Sequence, residues 1–129
     1  MMIRSSALLL IFLCGCKRAP CEELDVSNLS INTFFETPSF SWIGDNINSL
    51  SVANSNGEDL WWLRCSGAAQ CLESPITYGD VPVLEDASAL KSKDSVQELI
   101  SGTPHTLKIN IKCRGQGRNL LQEEEFIAP

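Results

Sequence analysis

Three observations predict an all-β sandwich for this chain. Apolar and polar residues alternate in short runs, the period of a half-buried strand. Turn-forming residues interrupt those runs about every ten residues, the spacing of a sandwich. Helix-period patterns are weak, the best being Ala87 to Ile100, where Asp94 to Ile100 is expected to form one or two helical turns.

The strands follow in order. Leu24, Val26, Leu29 and Ile31 alternate with one slip, read as a bulge. Phe40 and Trp42 alternate with Ser39 and Ser41 just after Pro38, and Leu50 and Val52 alternate with serines. Asn54-Ser55-Asn56-Gly57 is a hairpin signal before Leu60-Trp61-Trp62-Leu63, which is apolar on both faces as a central strand is. Ile76-Thr77-Tyr78 is closed by a turn at Gly79-Asp80. The clearest strand sets Leu107, Ile109, Ile111 and Cys113 against Thr106, Lys108, Asn110 and Lys112, with one face dry and one wet. Gly115-Gln116-Gly117 turns the chain into a last segment ending near Phe126.

The N-terminus reads differently. Arg4, then Ala7-Leu8-Leu9-Leu10-Ile11-Phe12, then small residues make a secretory signal. The run falls short of the roughly 20 apolar residues that cross a bilayer. Leu13-Cys14-Gly15-Cys16 resembles the bacterial lipobox, with Leu13 at −3, Gly15 at −1 and Cys16 as the lipidated residue. Cys14 stands where that class prefers Ala or Ser, and its own −1 residue, Leu13, is bulky, so Cys16 is the better candidate. The resemblance implies a diacylglycerol on the Cys16 thiol, cleavage before Cys16 and a membrane anchor. Several acyl chains hold far more firmly than one, at about 0.8 kcal/mol per buried methylene. Lys17 at +2 is not the aspartate of inner-membrane retention, which favours the outer membrane. The expected organisation is a signal peptide over 1–15, a lipidated tether over 16–23 and a sandwich over 24–129.

Removing 15 residues from 129 leaves 114, enough for one core, and loses Arg4, taking the formal charge from −6 to −7. Acidic pairs and runs at Glu22-Glu23, Glu58-Asp59, Glu85-Asp86 and Glu123 to Glu125 repel phosphate backbones, so no nucleic-acid partner is expected. They would suit a cationic partner. Four cysteines remain beyond Cys14 and Cys16: Cys21, Cys65, Cys71 and Cys113. In an exported chain they suggest two disulfides, with three connectivities possible. Cys65 and Cys71 flank the small-residue turn Ser66 to Gln70, which would bring them together and leave Cys21 for Cys113. Close Cys-x-x-Cys spacing is missing, so neither zinc nor thiol redox catalysis is expected.

Pro38-Ser39-Phe40-Ser41-Trp42 resembles the opening of fibronectin type III-like domains, and Leu99 to Ile111 with Gly102 resembles a later stretch of theirs. The resemblance implies an immunoglobulin-like sandwich in which the strands around Leu50 and Trp62 pair. His105 stands where those domains usually carry the corner tyrosine.

No catalytic set emerges. His105 is the single histidine and is expected at the surface or a strand edge. No Gly-x-Ser-x-Gly elbow or phosphate loop is present. Asp45, Asn46 and Asn48, like Asp80, Glu85 and Asp86, lack calcium-loop spacing, so no cofactor or metal is expected. Trp42, Trp61 and Trp62 are the best hint of binding. Trp42 is expected in the core, and Trp61 and Trp62 point to opposite faces, so at most one meets water. The expected function is a non-catalytic binding or structural module anchored in the cell envelope by lipid on Cys16, with an envelope protein as partner. The alternatives are a periplasmic inhibitor of a cationic hydrolase such as lysozyme, and a secretion-apparatus lipoprotein.

Overall fold

The computed structural model describes residues 28–44, 47–66, 71–113 and 118–129. Cys16, Cys21, the Leu24–Val26 stretch, Asp45, Asn46 and the Gly115–Gly117 turn lie outside the described residues.

The fold is an all-β sandwich of two antiparallel sheets. The smaller sheet has the order β1(Leu29–Asn32), β2(Ser39–Trp42), β5(Ile76–Thr77). The larger has β6(Leu90–Ser92), β4(Asp59–Cys65), β3(Ile47–Ala53), β7(Pro104–Cys113), β8(Arg118–Ile127). Strands β2, β3, β4, β5 and β7 are those the alternation predicts, whereas β6 lies inside the Ala87–Ile100 stretch read for helix period. In β7 every second residue from His105 to Cys113 is buried, and in β2 Phe40 and Trp42 turn inward between half-buried serines. The expected pairing of the two middle strands is present, with Leu50 opposite Leu63 and Val52 opposite Trp61. A register shift follows Val52.

Asn54 makes the hairpin turn. Its Oδ1 accepts from the Asn56 and Glu58 amides at 2.9 and 3.0 Å, and Gly57 takes φ +84°, a value that side-chain-bearing residues rarely adopt.

The stretch on either side of β6 departs from expectation. A short 3₁₀ turn, Ala87–Ala89, is capped by Asp86, but Asp94 to Ile100 is not helical. The Gln97 amide donates to Leu60 O at 3.1 Å, and the Lys93 amide donates to Trp62 O at 3.2 Å. These backbone bonds along β4 replace those of a helix. The sequence gives a helix little support here, because Val96 and Ile100 remain exposed and form no continuous apolar stripe.

An aromatic cluster fills the space between the sheets. Phe40 stacks on Trp61 with ring centroids 6.1 Å apart and meets Phe126 edge-on at 5.8 Å. Trp61 also meets Tyr78 at 5.2 Å. Leu50, Leu63, Leu107 and Ile109 close around them. Each such burial is worth about 1.5–3 kcal/mol.

Tyr78, the chain's single tyrosine, ties this core to the irregular segment: its hydroxyl donates to Gln97 O at 2.5 Å. Burial pushes its pKa up to about 12 from the ordinary 10.0. The folded state therefore holds this proton more tightly than the unfolded one. Its contribution to stability is complete below pH about 10 and is lost as pH rises toward about 12. Spectrophotometric titration should show the phenolate appearing only near the upper value, together with a fall in stability above pH about 10. A midpoint at the ordinary value would contradict the buried placement.

Candidate functional site

The outward face of the larger sheet holds the most distinctive polar arrangement. Strand registers set its side chains in two parallel rows. One runs Lys91, Arg64, Ser49, Asn110, Leu121. The other runs Trp62, Ser51, Lys108, Glu123, with the Lys93 backbone bonded beside Trp62. The two serines belong to β3, between longer side chains on β4 and β7. They leave a shallow trough between a Trp62–Arg64 ridge and a Lys108–Asn110 ridge.

The charges there are informative. The Arg64 guanidinium lies over the Trp62 ring, 4.3 Å from its centroid, a cation–π contact. Lys91 lies directly across from Arg64, and like charges so placed are destabilising. Among the described residues neither has a carboxylate within ion-pair distance, whereas Lys108 meets Asp59 at 3.5 Å. Asn110 Oδ1 is buried in the trough without a hydrogen-bond partner among the described residues. The arrangement can bind: a guanidinium backed by an aromatic ring, a second cation beside it and small polar side chains receive an extended anionic group.

The other candidates are placed as follows. Trp42 and Trp61 are core residues, as expected for Trp42, and of the adjacent pair it is Trp62 that reaches the surface. His105 differs from expectation. It is 1 % exposed and stacks on Phe126 at 5.9 Å. The inward half of the β7 alternation includes it, so its position in the strand decides its burial. Nδ1 donates to Thr103 O at 3.0 Å, since a carbonyl can only accept. Nε2 has no partner among the described residues.

Cys65 and Cys71 are disulfide-bonded with Cα atoms 5.5 Å apart. The Cys71 amide donates to Cys65 Sγ at 3.0 Å. Cys113 is also disulfide-bonded and points inward with 4 % exposure; the expected partner, Cys21, lies outside the described residues. Asp86 acts locally, accepting from the Ser88 hydroxyl and amide, and these bonds lower its pKa. Asp80 and Glu85 border a groove of about 650 Å³ beside β5, together with Glu73 and Val83. Among the described residues no group of three His, Cys, Asp or Glu side chains is placed to hold a metal ion.

Sequence reasoning missed Arg64 and Lys91, because their proximity depends on pairing between β4 and β6. It also missed Phe34 and Phe35, which are 89 % and 69 % exposed. Their signal was present: two aromatic residues inside a run of turn formers, Asn32-Thr33 and Thr37-Pro38. No protein-family model matches this chain, and no curated protein sequence matches it.

Proposed function

We propose that this chain is a lipid-anchored envelope protein, fastened through Cys16, whose fibronectin type III-like sandwich is a non-catalytic binding module. The Trp62–Arg64–Lys91 arrangement carries the binding part of the proposal. It faces solvent, and a like-charge pair is kept where an opposite pair would be more stable. The ligand it fits carries carboxylates on an extended backbone. The anchor rests on Leu13 to Cys16 and the short apolar run before them. The inward Phe40 and Trp42 after Pro38, and the paired β3 and β4, support the family resemblance.

A two-arm experiment tests the proposal. Labelled palmitate should enter the wild-type chain in cells and not Cys16→Ser, which should leave the membrane fraction; equal labelling or unchanged fractionation would refute the anchor. In vitro, polyglutamate at low salt should change tryptophan fluorescence, since Trp42 and Trp61 are buried and Trp62 is the partly exposed reporter. Trp62→Phe should lose the signal, and Arg64→Glu should weaken binding by about tenfold. A wild-type chain silent to polyglutamate would remove the binding face.

A further inference from the structure

The two ends of the sandwich differ. Asn28 O accepts from the Ile43 amide at 2.9 Å, so the described chain begins beside the β2–β3 connection. Trp42, Ile47 and Cys113 share that end through the pairings Leu29–Trp42 and Ile47–Ile111. The opposite end carries the connection from Asn32 to Ser39, the start of β7 and the finish of β8.

That far end is both apolar and acidic. Phe34 and Phe35 project there with ring centroids 5.9 Å apart, in a turn fixed by the Phe34 amide donating to Asn32 Oδ1 at 2.9 Å. The next residues, Glu36 to Pro38, line a groove of about 450 Å³ with Tyr78, Val96, Glu98 and Leu99. Its position is set from inside the protein. Tyr78 is held by Gln97 O, and the Tyr78 amide donates to Pro38 O at 2.9 Å. Ile100 and Ile127, near the lining residues Leu99 and Pro129 in sequence, are 63 % and 52 % exposed. Glu36 and Glu98 are the charged lining residues, and neither is buried. No lysine or arginine lines the groove among the described residues.

We propose that this end docks a basic polypeptide segment with apolar side chains, the apolar groups meeting Phe34, Phe35 and Val96, and the cations meeting Glu36 and Glu98. Two adjacent, largely exposed phenyl rings next in sequence to a groove lined by Val96 and Leu99 offer an apolar anchor point. The carboxylates decide which kind. They repel anionic headgroups, so a lipid surface is disfavoured, and they complement lysine and arginine, which also rest favourably on phenyl faces. The surface is separate from the Trp62 trough and selects the opposite charge.

Calorimetry on the full chain tests this with a short alternating lysine–leucine peptide and its glutamate–leucine counterpart. The basic peptide should bind and the acidic one should not. Glu36→Lys combined with Glu98→Lys should weaken the basic peptide by about tenfold and admit the acidic one. Phe34→Ser with Phe35→Ser should weaken it as well. None of the four positions is buried, so an unchanged melting temperature confirms that the fold survives. Indifference to charge reversal, or equal binding of both peptides by the wild type, would overturn the proposal. So would binding to phosphatidylglycerol vesicles that falls when Phe34 and Phe35 are replaced, since that would assign the end to a membrane.

Discussion

Trp61→Ala should destabilise the domain by about 3–5 kcal/mol, the range for large aromatic truncations in a packed core. Trp61 is fully buried and bridges the two sheets, stacking on Phe40 from β2 and meeting Tyr78 just beyond β5. The smaller sheet has few residues with which to compensate, since β5 pairs with β2 at only Ser39–Thr77 and Phe40–Ile76. Small domains have about 5–15 kcal/mol in total, so this loss leaves little margin. Trp62→Ala, one residue away, should cost far less, about 1 kcal/mol or below, because it removes a half-buried ring from the outward face. Urea unfolding of both variants checks the contrast. Near-equal losses would mean that the inward and outward faces of β4 are wrongly assigned. Trp61→Phe separates the two contributions in that side chain: it shrinks the ring but removes Nε1, a buried donor without a partner among the described residues. Its cost should therefore fall well short of the alanine variant's.

What the sequence revealed follows from the range of the interactions concerned. β7 was legible because its strict alternation requires no knowledge of its neighbours. The Asn54–Gly57 turn was legible for a similar reason: Asn54 bonds the amides two and four residues ahead of it. The non-helical course of Asp94 to Ile100 was not, since it depends on backbone bonds reaching back to the distant β4 residues Leu60 and Trp62. The face holding Trp62 was half legible. Adjacent tryptophans on a strand must diverge, but which of them meets water is decided by where the smaller sheet lies. Arg64 and Lys91 come together only through the β4–β6 register, and nothing local to either residue announces it. His105 shows how burial follows strand phase: it occupies an inward position of β7 and is covered by Phe126.

Replacing Cys113 with Ala should lower stability more than replacing Cys71. The Cys65–Cys71 bond closes a loop with a sequence separation of 6, which the chain-entropy relation values at roughly 2.4 kcal/mol. Cys113 is disulfide-bonded as well, and pairing with Cys21, as the sequence suggests, would close most of the domain and contribute roughly 4.6 kcal/mol. Burial alone does not separate them, since Cys113 and Cys71 are 4 % and 6 % exposed; strand position does. Cys113 ends the inward series Leu107, Ile109, Ile111 on a strand bonded to both β3 and β8, so its truncation leaves unfilled space in the larger sheet. Cys71 follows a connection outside β4, and its loss leaves the ladder from Ser49–Arg64 to Val52–Trp61 intact. The consequence for the anchor is mechanical. If Cys16 carries the proposed lipid, a Cys21–Cys113 bond would fasten the chain a few residues after it to a strand of the larger sheet, so pull on that lipid would reach the core without first unravelling β1. Peptide mapping under non-reducing conditions identifies the partner, and denaturation of the two variants gives the ordering. A Cys113 link to Cys14 or Cys16 would exclude the anchored arrangement, and a Cys71 variant as unstable as the Cys113 variant would show that loop length does not govern the effect.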